Sequence, residues 1–434
     1  MEIENFIQTK QDSQKHSVEE INYFIKNLNN FSQDKITQWL KAVKANSLDD
    51  NETSTLTLAM AKSGNILDWK ELEPTIDKHS TGGIGDKITL LFVPLIAAYG
   101  INIPKLSGRS LGITGGTIDK LESIPGFKTN LSISEIKEQV KNIGLAVCST
   151  STDLAPADKK LYAIRDVTDT VDSIPLIASS IMSKKIATGA KNIILDVKVG
   201  SGAFIKTIED AKLLAKEMVS IGKNLNKNIK AVITEMNEPL GYKIGNSLEI
   251  KEVLEVLSGK EIQDLVEIVI YLAKEAIDLV GDVEAGLKPA FTKPAPTDTE
   301  LKDLLLNGAA LKKFEEMVKA QGGNLNSELP KAKYIEILKS EKEGYIQKID
   351  AKDIGEAVYS LGAGRKLVSD SIDHSVGIVL LKKRGDKIGK NESLLEIHAK
   401  SKEDADKVKE KLLSGITFGQ KEPSKLKLIH EIIR

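Results

Sequence analysis

The first part of the chain carries apolar residues at helical spacing. The segment Ser17–Glu20 has the form of a capping box, in which the serine accepts from a backbone amide while Glu20 reaches back. The apolar positions after it share one helix face: Ile21, Phe24, Ile25 and Leu28. Residues 53–65 predict a second amphipathic helix that stops at Gly64. Because no strand pattern occurs before about Asp77, we expect this part to be entirely helical.

From Asp77 onward, short β-branched runs alternate with glycine turns and apolar helices. Residues 193–204 and 231–241 each predict a strand that leads into a glycine turn. Residues 88–101 are apolar, too few to span a bilayer, and predict a buried helix. Strand, glycine turn and helix in alternation are typical of an α/β sheet that binds ligands at its strand ends.

Residues 172–189 add a helix within this alternation. Asp172 or Ser173 can cap its start, Pro175 suits the first turn and Gly189 suits the C-terminal stop. The segment before it is also helical in character. We therefore expect both to join the N-terminal helices in one small all-α domain that is discontinuous in sequence.

Past Leu329 the chain is rich in short strand patterns and tight turns. The run GDKIGKNESLLEI resembles barrel-sandwich modules that carry biotin or lipoate, but it lacks their carrier-lysine motif and so predicts a structural module. The predicted fold class is α/β: a small discontinuous all-α domain, a large α/β domain with glycine-rich phosphate loops, and a β-rich, barrel-sandwich-like C-terminal module. The predicted bounds are 1–68 and 157–190 (all-α), 69–156 and 191–329 (α/β), and 330–434 (C-terminal).

Composition narrows the class of protein. Lys plus Arg number 61 against 62 Asp plus Glu, so the chain lacks the basic excess that nucleic acids or membrane surfaces attract. The single cysteine, Cys148, excludes an internal disulfide and fits a reducing cytoplasm. The polar N-terminus does not have the form of a signal peptide. We expect a cytoplasmic protein that binds neither nucleic acid nor membrane.

Two glycine-rich loops combine cations with hydroxyls: KHSTGGIGD, residues 78–86, and KLSGRSLGITGGT, residues 105–117. A glycine loop before a helix presents backbone N–H groups and the positive end of the helix dipole, which suits an anion. The first loop fits neither a Walker A motif nor a complete dinucleotide fingerprint. Since no acidic pair for magnesium stands beside either loop, phosphate or a phosphosugar fits better than a triphosphate.

A third group of polar residues lies on the helix at 172–189. Ser180 and Lys184 are four residues apart and share a face, and Tyr162 and Arg165 lie just upstream. Spacing alone slightly favours a solvated Lys184 and an Arg165 paired with a neighbouring aspartate. The same cations and hydroxyl would also suit a neutral base that bears two carbonyls and an N–H.

These segments together resemble the pyrimidine-nucleoside phosphorylase family, which includes thymidine phosphorylase. The resemblance is carried by KHSTGGIGDK, KLSGRSLGITGGTIDKLESIPGF, LAPADKKLYAIRDVTDTVDSIPLIASSIMSKKIATG and DVKVGSGAF, and it extends to GAGR at 362–365 and the C-terminal module. It implies reversible phosphorolysis of uridine, thymidine and deoxyuridine to a free base and a pentose 1-phosphate, with inversion at C1′. It also implies a homodimer, with phosphate as co-substrate and no organic cofactor.

The resemblance also assigns roles to residues. Phosphate contacts fall on Lys78, Ser80, Thr89, Lys105, Ser107 and Thr117. Base contacts fall on Tyr162, Arg165, Ser180 and Lys184. His79 would lie beside the glycosidic bond, so the expected catalytic set is His79, Arg165 and Lys184. Bacterial members can hold a potassium ion, which would fall at Gly85, Lys87, Leu240, Lys243 and Glu252. Both lysines of that set are expected to contribute only backbone carbonyls.

One loop departs from the family pattern. Ser110 and Ile113 replace a glycine and a histidine in the usual GRGLGHTGGT, and we expect weaker domain closure or shifted phosphate contacts. Three alternatives stay open. The chain could be a strict thymidine phosphorylase, an anthranilate-type phosphoribosyltransferase that needs magnesium, or a non-catalytic nucleoside-binding protein.

Overall fold

The computed structural model describes residues 2–109, 112–149, 154–284, 295–365 and 370–434. Its helices are α1 Ile3–Gln11, α2 Val18–Lys26, α3 Gln33–Asn46, α4 Asp50–Lys62, α5 Ile88–Tyr99, α6 Thr117–Leu121, α7 Ile133–Ile143, α8 Pro156–Asp166, α9 Ile174–Ala187, α10 Ile208–Asn224, α11 Asn246–Leu257, α12 Gln263–Glu284, α13 Asp298–Leu306, α14 Ala309–Ala320, α15 Ala351–Val358 and α16 Lys402–Ser414. Its strands are β1 Ile76–Ser80, β2 Ile103–Ser107, β3 Leu145–Ser149, β4 Asn192–Val199, β5 Asn228–Glu235, β6 Lys243–Ile244, β7 Tyr334–Lys339, β8 Gly344–Ile349, β9 Gly377–Leu380, β10 Lys387–Ile388, β11 Ser393–Ala399, β12 Ile416–Gly419 and β13 Ile429–Ile433. Short turns of other helix types span Leu28–Asn30, Lys70–Leu72 and Tyr359–Ala363.

The small all-α unit forms as the sequence pattern predicts. Ser17 Oγ accepts from the Glu20 amide while the Glu20 carboxylate accepts from the Ser17 amide, which completes the capping box at the start of α2. Helices α8 and α9 pack onto these N-terminal helices in one enclosed apolar core. Residues from both parts of the chain meet there: Phe24, Trp39, Leu56, Leu161, Ile164 and Leu176. The all-α unit is therefore discontinuous in sequence.

The central sheet has the strand order β1–β4–β5–β13. Strands β1, β4 and β5 are parallel, and Ser80 pairs in register with Asp196. The carboxyl ends of these strands therefore lie at one edge of the sheet, where open α/β sheets bind ligands. A second parallel pair, β2 with β3, adjoins this sheet through a bridge between Thr75 and Asn102. The apolar helix α5 is buried in the same core, and none of the described helices is long and apolar enough to cross a bilayer.

The C-terminal part is β-rich, with one sheet ordered β10–β8–β12 and another ordered β6–β9–β11–β7. The last strand does not stay with these sheets. The sequence predicted β13 as a strand within residues 330–434, whereas it pairs antiparallel with β5 of the central sheet, with Ile432 opposite Val232. This pairing covers the backbone groups that β5 would otherwise expose at a sheet edge.

Candidate active site

Two adjoining cavities lie where the ends of β1 and β2 meet α8 and α9. The loop cavity, of about 360 Å³, is lined by both glycine-rich loops and by α9. The helix cavity, of about 760 Å³, is lined chiefly by α8, α9 and residues 202–206. His79, Ser80 and Lys184 line both, so the two cavities adjoin at these residues.

The loop cavity is electropositive. Four basic side chains line it: Lys105, Arg109, Lys184 and Lys185. Asp86 is the acidic residue among its described lining residues. Gly82, Gly115 and Gly116 also line the cavity and, having no side chains, present their peptide groups to it. Cationic side chains with glycine-rich backbone form an anion site.

The first glycine loop is held in shape by Asp86. Ser80 Oγ donates to Asp86 Oδ2 at 2.6 Å and accepts from the Gly82 amide at 3.2 Å. Burial alone would raise the pKa of Asp86, but the nearby lysine charges outweigh burial and hold that pKa well below its usual range. Asp86 is therefore ionised near neutral pH. To donate to a bound anion, Ser80 must exchange its bond to Asp86.

Lys78 lies behind the wall of the loop cavity. Its ammonium is 3.0 Å from Asp196 Oδ2, and Lys198 Nζ lies 2.9 Å from the same oxygen. Lys78 also donates to Thr89 Oγ1 at 3.2 Å, and Thr89 lines the cavity. Because that hydroxyl accepts from Lys78, its own proton remains to be donated into the cavity. The sequence did not indicate a role for Lys198, because the pattern of an apolar strand does not show that its lysine forms a buried ion pair.

The second loop contributes Lys105, Ser107 and Thr117, which all line the loop cavity. Lys105 Nζ donates to the Leu106 carbonyl at 2.7 Å and lies 3.5 Å from Asp77 Oδ1. Burial lowers the pKa of Lys105 to about 7, and the attraction of Asp77 only partly opposes this. Helix α6, which follows the loop, has only five residues. The anion-binding character of this loop therefore rests more on its cations than on a helix dipole.

Lys185 is a further cation in the loop cavity that the sequence reasoning did not single out. Its ammonium lies 2.8 Å from Asp77 Oδ2, on the other carboxylate oxygen from Lys105. Only Lys184 shares a face with Ser180 by four-residue spacing, and the next residue lies about 100° further around the helix. Asp77 thus holds two cations, Lys105 and Lys185, side by side at the cavity wall.

His79 lies at the junction of the two cavities. Within the described residues, its Nε2 is enclosed and has no hydrogen-bond partner, although the residue as a whole is partly exposed. Burial lowers the pKa of His79 well below its usual value, and the charges of Lys185 and Lys105 lower it further. The imidazole is therefore neutral near pH 7. A neutral imidazole with an unpartnered nitrogen can hydrogen-bond to a ligand without adding charge.

The helix cavity gathers the predicted base contacts: Tyr162, Arg165, Ser180 and Lys184. Lys184 Nζ is 2.8 Å from Asp158 Oδ2, and Lys184 and Arg165 each lie about 6 Å from the ring centre of Tyr162. Arg165 donates to three main-chain carbonyls rather than to the neighbouring aspartate that spacing favoured: Thr170, Val171 and Leu176. A guanidinium has five N–H groups, so two remain for a ligand.

Four of the five residues of the expected potassium site meet around a different cation, and the fifth, Gly85, lies against the Leu240 carbonyl. Lys87 Nζ donates to the carbonyls of Leu240 and Lys243, each at 2.9 Å, and to Glu252 Oε2 at 2.6 Å. The expectation that Lys87 contributes only its backbone carbonyl is therefore wrong. Oxygens expected to ligate the ion already surround a side-chain ammonium, so the set does not fit potassium.

The second loop is braced by the C-terminal module. The Gly112 amide donates to the Arg365 carbonyl at 3.2 Å, and Arg365 itself pairs with Asp119 at 2.5 Å. Ile113 packs against the apolar core and lines the helix cavity. Ser110, the other departure from the family pattern, lies outside the described residues. At the position where the family has a histidine, Ile113 thus makes an apolar contact.

The sequence matches families and proteins that are already known. Residues 72–311 match a family model described as glycosyl transferase family, a/b domain, and residues 345–419 match the pyrimidine nucleoside phosphorylase C-terminal domain. Pyrimidine-nucleoside phosphorylases of Staphylococcus aureus strains MSSA476 and USA300 are each 44% identical over 445 residues, covering 100% of both chains.

A solved structure shares the fold at much lower sequence identity. Anthranilate phosphoribosyltransferase from Thermus thermophilus superposes with a TM-score of 0.57 at 16% identity, covering 73% of this chain and 98% of its own. The cavities, the fold and these matches define a glycosyl transferase enzyme. The chain belongs to the pyrimidine-nucleoside phosphorylase family.

Proposed function

We propose that the enzyme catalyses reversible phosphorolysis of pyrimidine nucleosides, giving a free base and a pentose 1-phosphate. The observation that carries the proposal is that the two cavities adjoin at shared lining residues. A cation-rich space lies beside a space lined by Arg165, Ser180 and Lys184, and His79 lines both. A nucleoside bound across this junction has its sugar beside the phosphate. Uridine, thymidine and deoxyuridine are all proposed substrates, because they share the carbonyls and N–H that these groups can bind.

The electropositive loop cavity explains how phosphate would react. Breaking the N-glycosidic bond builds positive charge on the sugar and negative charge on the departing base. A phosphate dianion held by Lys105, Lys185 and Thr89 stabilises that positive charge. It attacks C1′ from the face opposite the base, so a C–O bond forms as the bond to the base breaks. The configuration at C1′ is therefore inverted, and no covalent enzyme intermediate is required.

The polar groups of the helix cavity suit the leaving base. A pyrimidine-2,4-dione offers two carbonyl acceptors and one N–H donor, and negative charge concentrates on the carbonyls as the base departs. Arg165 and Lys184 face those oxygens in our proposal, and Ser180 accepts from the N–H. Donors aimed at charge that develops in the transition state lower the barrier rather than only strengthening binding.

His79 has a distinct role in the proposal. Its neutral imidazole donates an N–H to the O2 carbonyl of the base, at the junction where the glycosidic bond would lie. A neutral donor suits this position because a further positive charge would repel the sugar cation that forms nearby. His79 then stabilises the leaving group without changing its own charge.

Release of free base from uridine, thymidine and cytidine, each with and without phosphate, tests the function. Uridine and thymidine are expected to react only with phosphate or arsenate present. Cytidine is expected to react poorly, because its C4 amino group would face cations. Equal cleavage without phosphate would make the enzyme a hydrolase. Reaction of thymidine alone would identify a strict thymidine phosphorylase.

Two further alternatives are tested by the same assay. A phosphoribosyltransferase would need magnesium and release no base; the full-length likeness to pyrimidine-nucleoside phosphorylases favours phosphorolysis over that reaction. A non-catalytic binding protein would bind uracil and leave every nucleoside intact. We also propose a cytoplasmic homodimer, as the family resemblance implies, and light scattering of the purified protein tests its mass.

A further inference from the structure

The ammonium of Lys87 is enclosed in a shell of oxygen atoms. The side chains of Lys87 and Glu252 are both 0% exposed. The ammonium donates to three acceptors, two main-chain carbonyls and the Glu252 carboxylate, at 2.6 to 2.9 Å. Each of its three N–H groups therefore has a partner, which is what a buried ammonium requires.

The chain leaves just enough space for this shell. Gly241 has a φ of +69°, and a Cβ there would collide with Glu252 and lie 2.8 Å from Lys87 Nζ. Glu252 also accepts from the amides of Tyr242 and Lys243, at 2.9 and 3.2 Å. Backbone donors thus hold the carboxylate in place in addition to the ammonium.

The other charged groups near this shell have their own partners. Glu249, one helical turn earlier on α11, pairs with Lys120 at 2.9 Å. Asp264 pairs with Lys383 at 2.6 Å. Lys87 and Glu252 therefore form a matched pair of single charges. Two carbonyls and one carboxylate around a single positive charge are also a suitable ligand set for a monovalent metal ion, since carbonyl oxygens replace the water shell of such ions.

The ammonium connects the first glycine loop to a distant part of the chain. Lys87 directly follows Asp86, and helix α5 with Thr89 begins at the next residue. The Leu240 amide donates to the Ile84 carbonyl at 3.1 Å, so the same two segments are also joined by backbone. Through these contacts, Lys87 helps to position its neighbours Asp86 and Thr89, which line the loop cavity.

We propose that Lys87 is a positioning residue whose ammonium serves as a permanent internal cation in place of a monovalent metal ion. The enzyme consequently holds its first loop in shape without potassium. The chemical basis is the oxygen shell itself, which accepts one compact positive charge and is already filled by one that cannot dissociate. This proposal rests on the proposed function only for the tests that measure KM for phosphate. The unfolding and ion-binding tests do not require turnover.

The wild-type enzyme provides the first test. Its unfolding midpoint and its KM for phosphate are measured in potassium, sodium and choline chlorides at constant ionic strength. Both should be the same in all three salts. A potassium-dependent rise in the midpoint, or a fall in KM with potassium alone, would contradict the proposal.

Lys87→Thr is the decisive variant, because it removes the ammonium and leaves room for an ion. In choline chloride its KM for phosphate should rise by about tenfold, the equivalent of about 1.4 kcal/mol, and its unfolding midpoint should fall. Potassium or rubidium should restore both. Lys87→Met is the matched control, since it fills similar volume without charge and should not respond to either ion.

Crystals soaked in rubidium give a readout that does not need turnover. Anomalous density should occur between Leu240, Lys243 and Glu252 in Lys87→Thr and be absent there in the wild-type enzyme. Density in the wild-type enzyme would overturn the proposal, and so would a folded Lys87→Thr protein that no ion restores. If Lys87→Thr does not fold, the salt series and the rubidium soak of the wild-type enzyme still test the proposal. Ion rescue of thermal stability without any phosphorolysis would refute the proposed function and leave this inference intact.

Discussion

The ammonium of Lys78 lies 3.0 Å from the carboxylate of Asp196, and neither side chain is exposed. Lys198 reaches the same carboxylate oxygen, and Thr234 donates to the other oxygen at 2.6 Å. Lys78 thus belongs to an enclosed ionic cluster at the end of the central sheet. It reaches the loop cavity through the hydroxyl of Thr89.

The first prediction separates the roles of Lys78 and Thr89. Thr89→Val keeps the shape of the side chain but removes the hydroxyl that we expect to donate to phosphate. KM for phosphate should rise by about tenfold, the equivalent of about 1.4 kcal/mol, while KM for the nucleoside changes little. Steady-state kinetics with each substrate varied in turn provide the measurement.

Lys78→Met is the companion variant. Removing one partner of a buried ion pair leaves a charge uncompensated, so the free energy of unfolding should fall by about 3 kcal/mol. Lys198 remains beside Asp196 and still compensates part of its charge, so the expected loss of unfolding free energy lies at the low end of the range for a broken buried ion pair. An unchanged stability in denaturant together with weaker phosphate binding would mean that Lys78 contacts phosphate directly.

The second prediction concerns Lys105, whose pKa is lowered to about 7 by burial. Its ammonium is present below that pH and is lost above it, so the loop cavity becomes less positive as pH rises. Sulfate is a useful probe because it stays a dianion while phosphate itself titrates. Competitive inhibition by sulfate should weaken as pH rises through about 7 in the wild-type enzyme.

The Lys105→Met variant is the control for this pH dependence. It should bind sulfate weakly at every pH and lose the transition near neutrality. A transition that persists unchanged in Lys105→Met would assign the titration to another group.

The third prediction concerns Lys184, whose side chain is 42% exposed and pairs with Asp158. Asp158 is only 4% exposed, so Lys184→Ala leaves a buried carboxylate without its partner and the unfolding midpoint should fall; turnover is therefore measured well below that midpoint, where the variant is folded. The value of kcat/KM for uridine should nevertheless fall by about a hundredfold, as when one preorganised donor to a developing anion is removed. Arg165→Ala should cost as much in turnover, and it should also lower stability because the guanidinium holds three main-chain carbonyls.

Lys160 offers a matched control on α8, since its ammonium donates to the Leu28 carbonyl away from both cavities. Lys160→Ala should leave kcat/KM unchanged. Near-normal turnover in Lys184→Ala would show that this face of α9 does not bind the base.

The sequence predicted the helices and the site loops better than it predicted which buried charged side chains contact one another. Capping and periodicity are local, so α2 and the face shared by Ser180 and Lys184 could be identified from residue spacing. The cluster around Asp196 joins side chains on one strand to a charge on another, and spacing does not reveal that burial. The role of Lys87 was missed for the same reason, because its acceptors lie more than a hundred residues away in the chain.

The last prediction concerns His79, whose pKa is held well below its usual value by burial and by Lys185 and Lys105. A neutral N–H donor can be replaced by an amide, so His79→Gln should retain about tenfold more kcat/KM than His79→Leu, the equivalent of about 1.4 kcal/mol. The unfolded chain takes up a proton on this imidazole below about pH 6.5 while the folded enzyme does not, so stability is lost as pH falls. That acid loss, measured by urea unfolding, should be smaller in His79→Gln than in the wild-type enzyme. Equal acid sensitivity in the two proteins would mean that His79 also takes up a proton in the folded enzyme. The proposed neutral donor would then be wrong, and His79 would act as a positively charged donor.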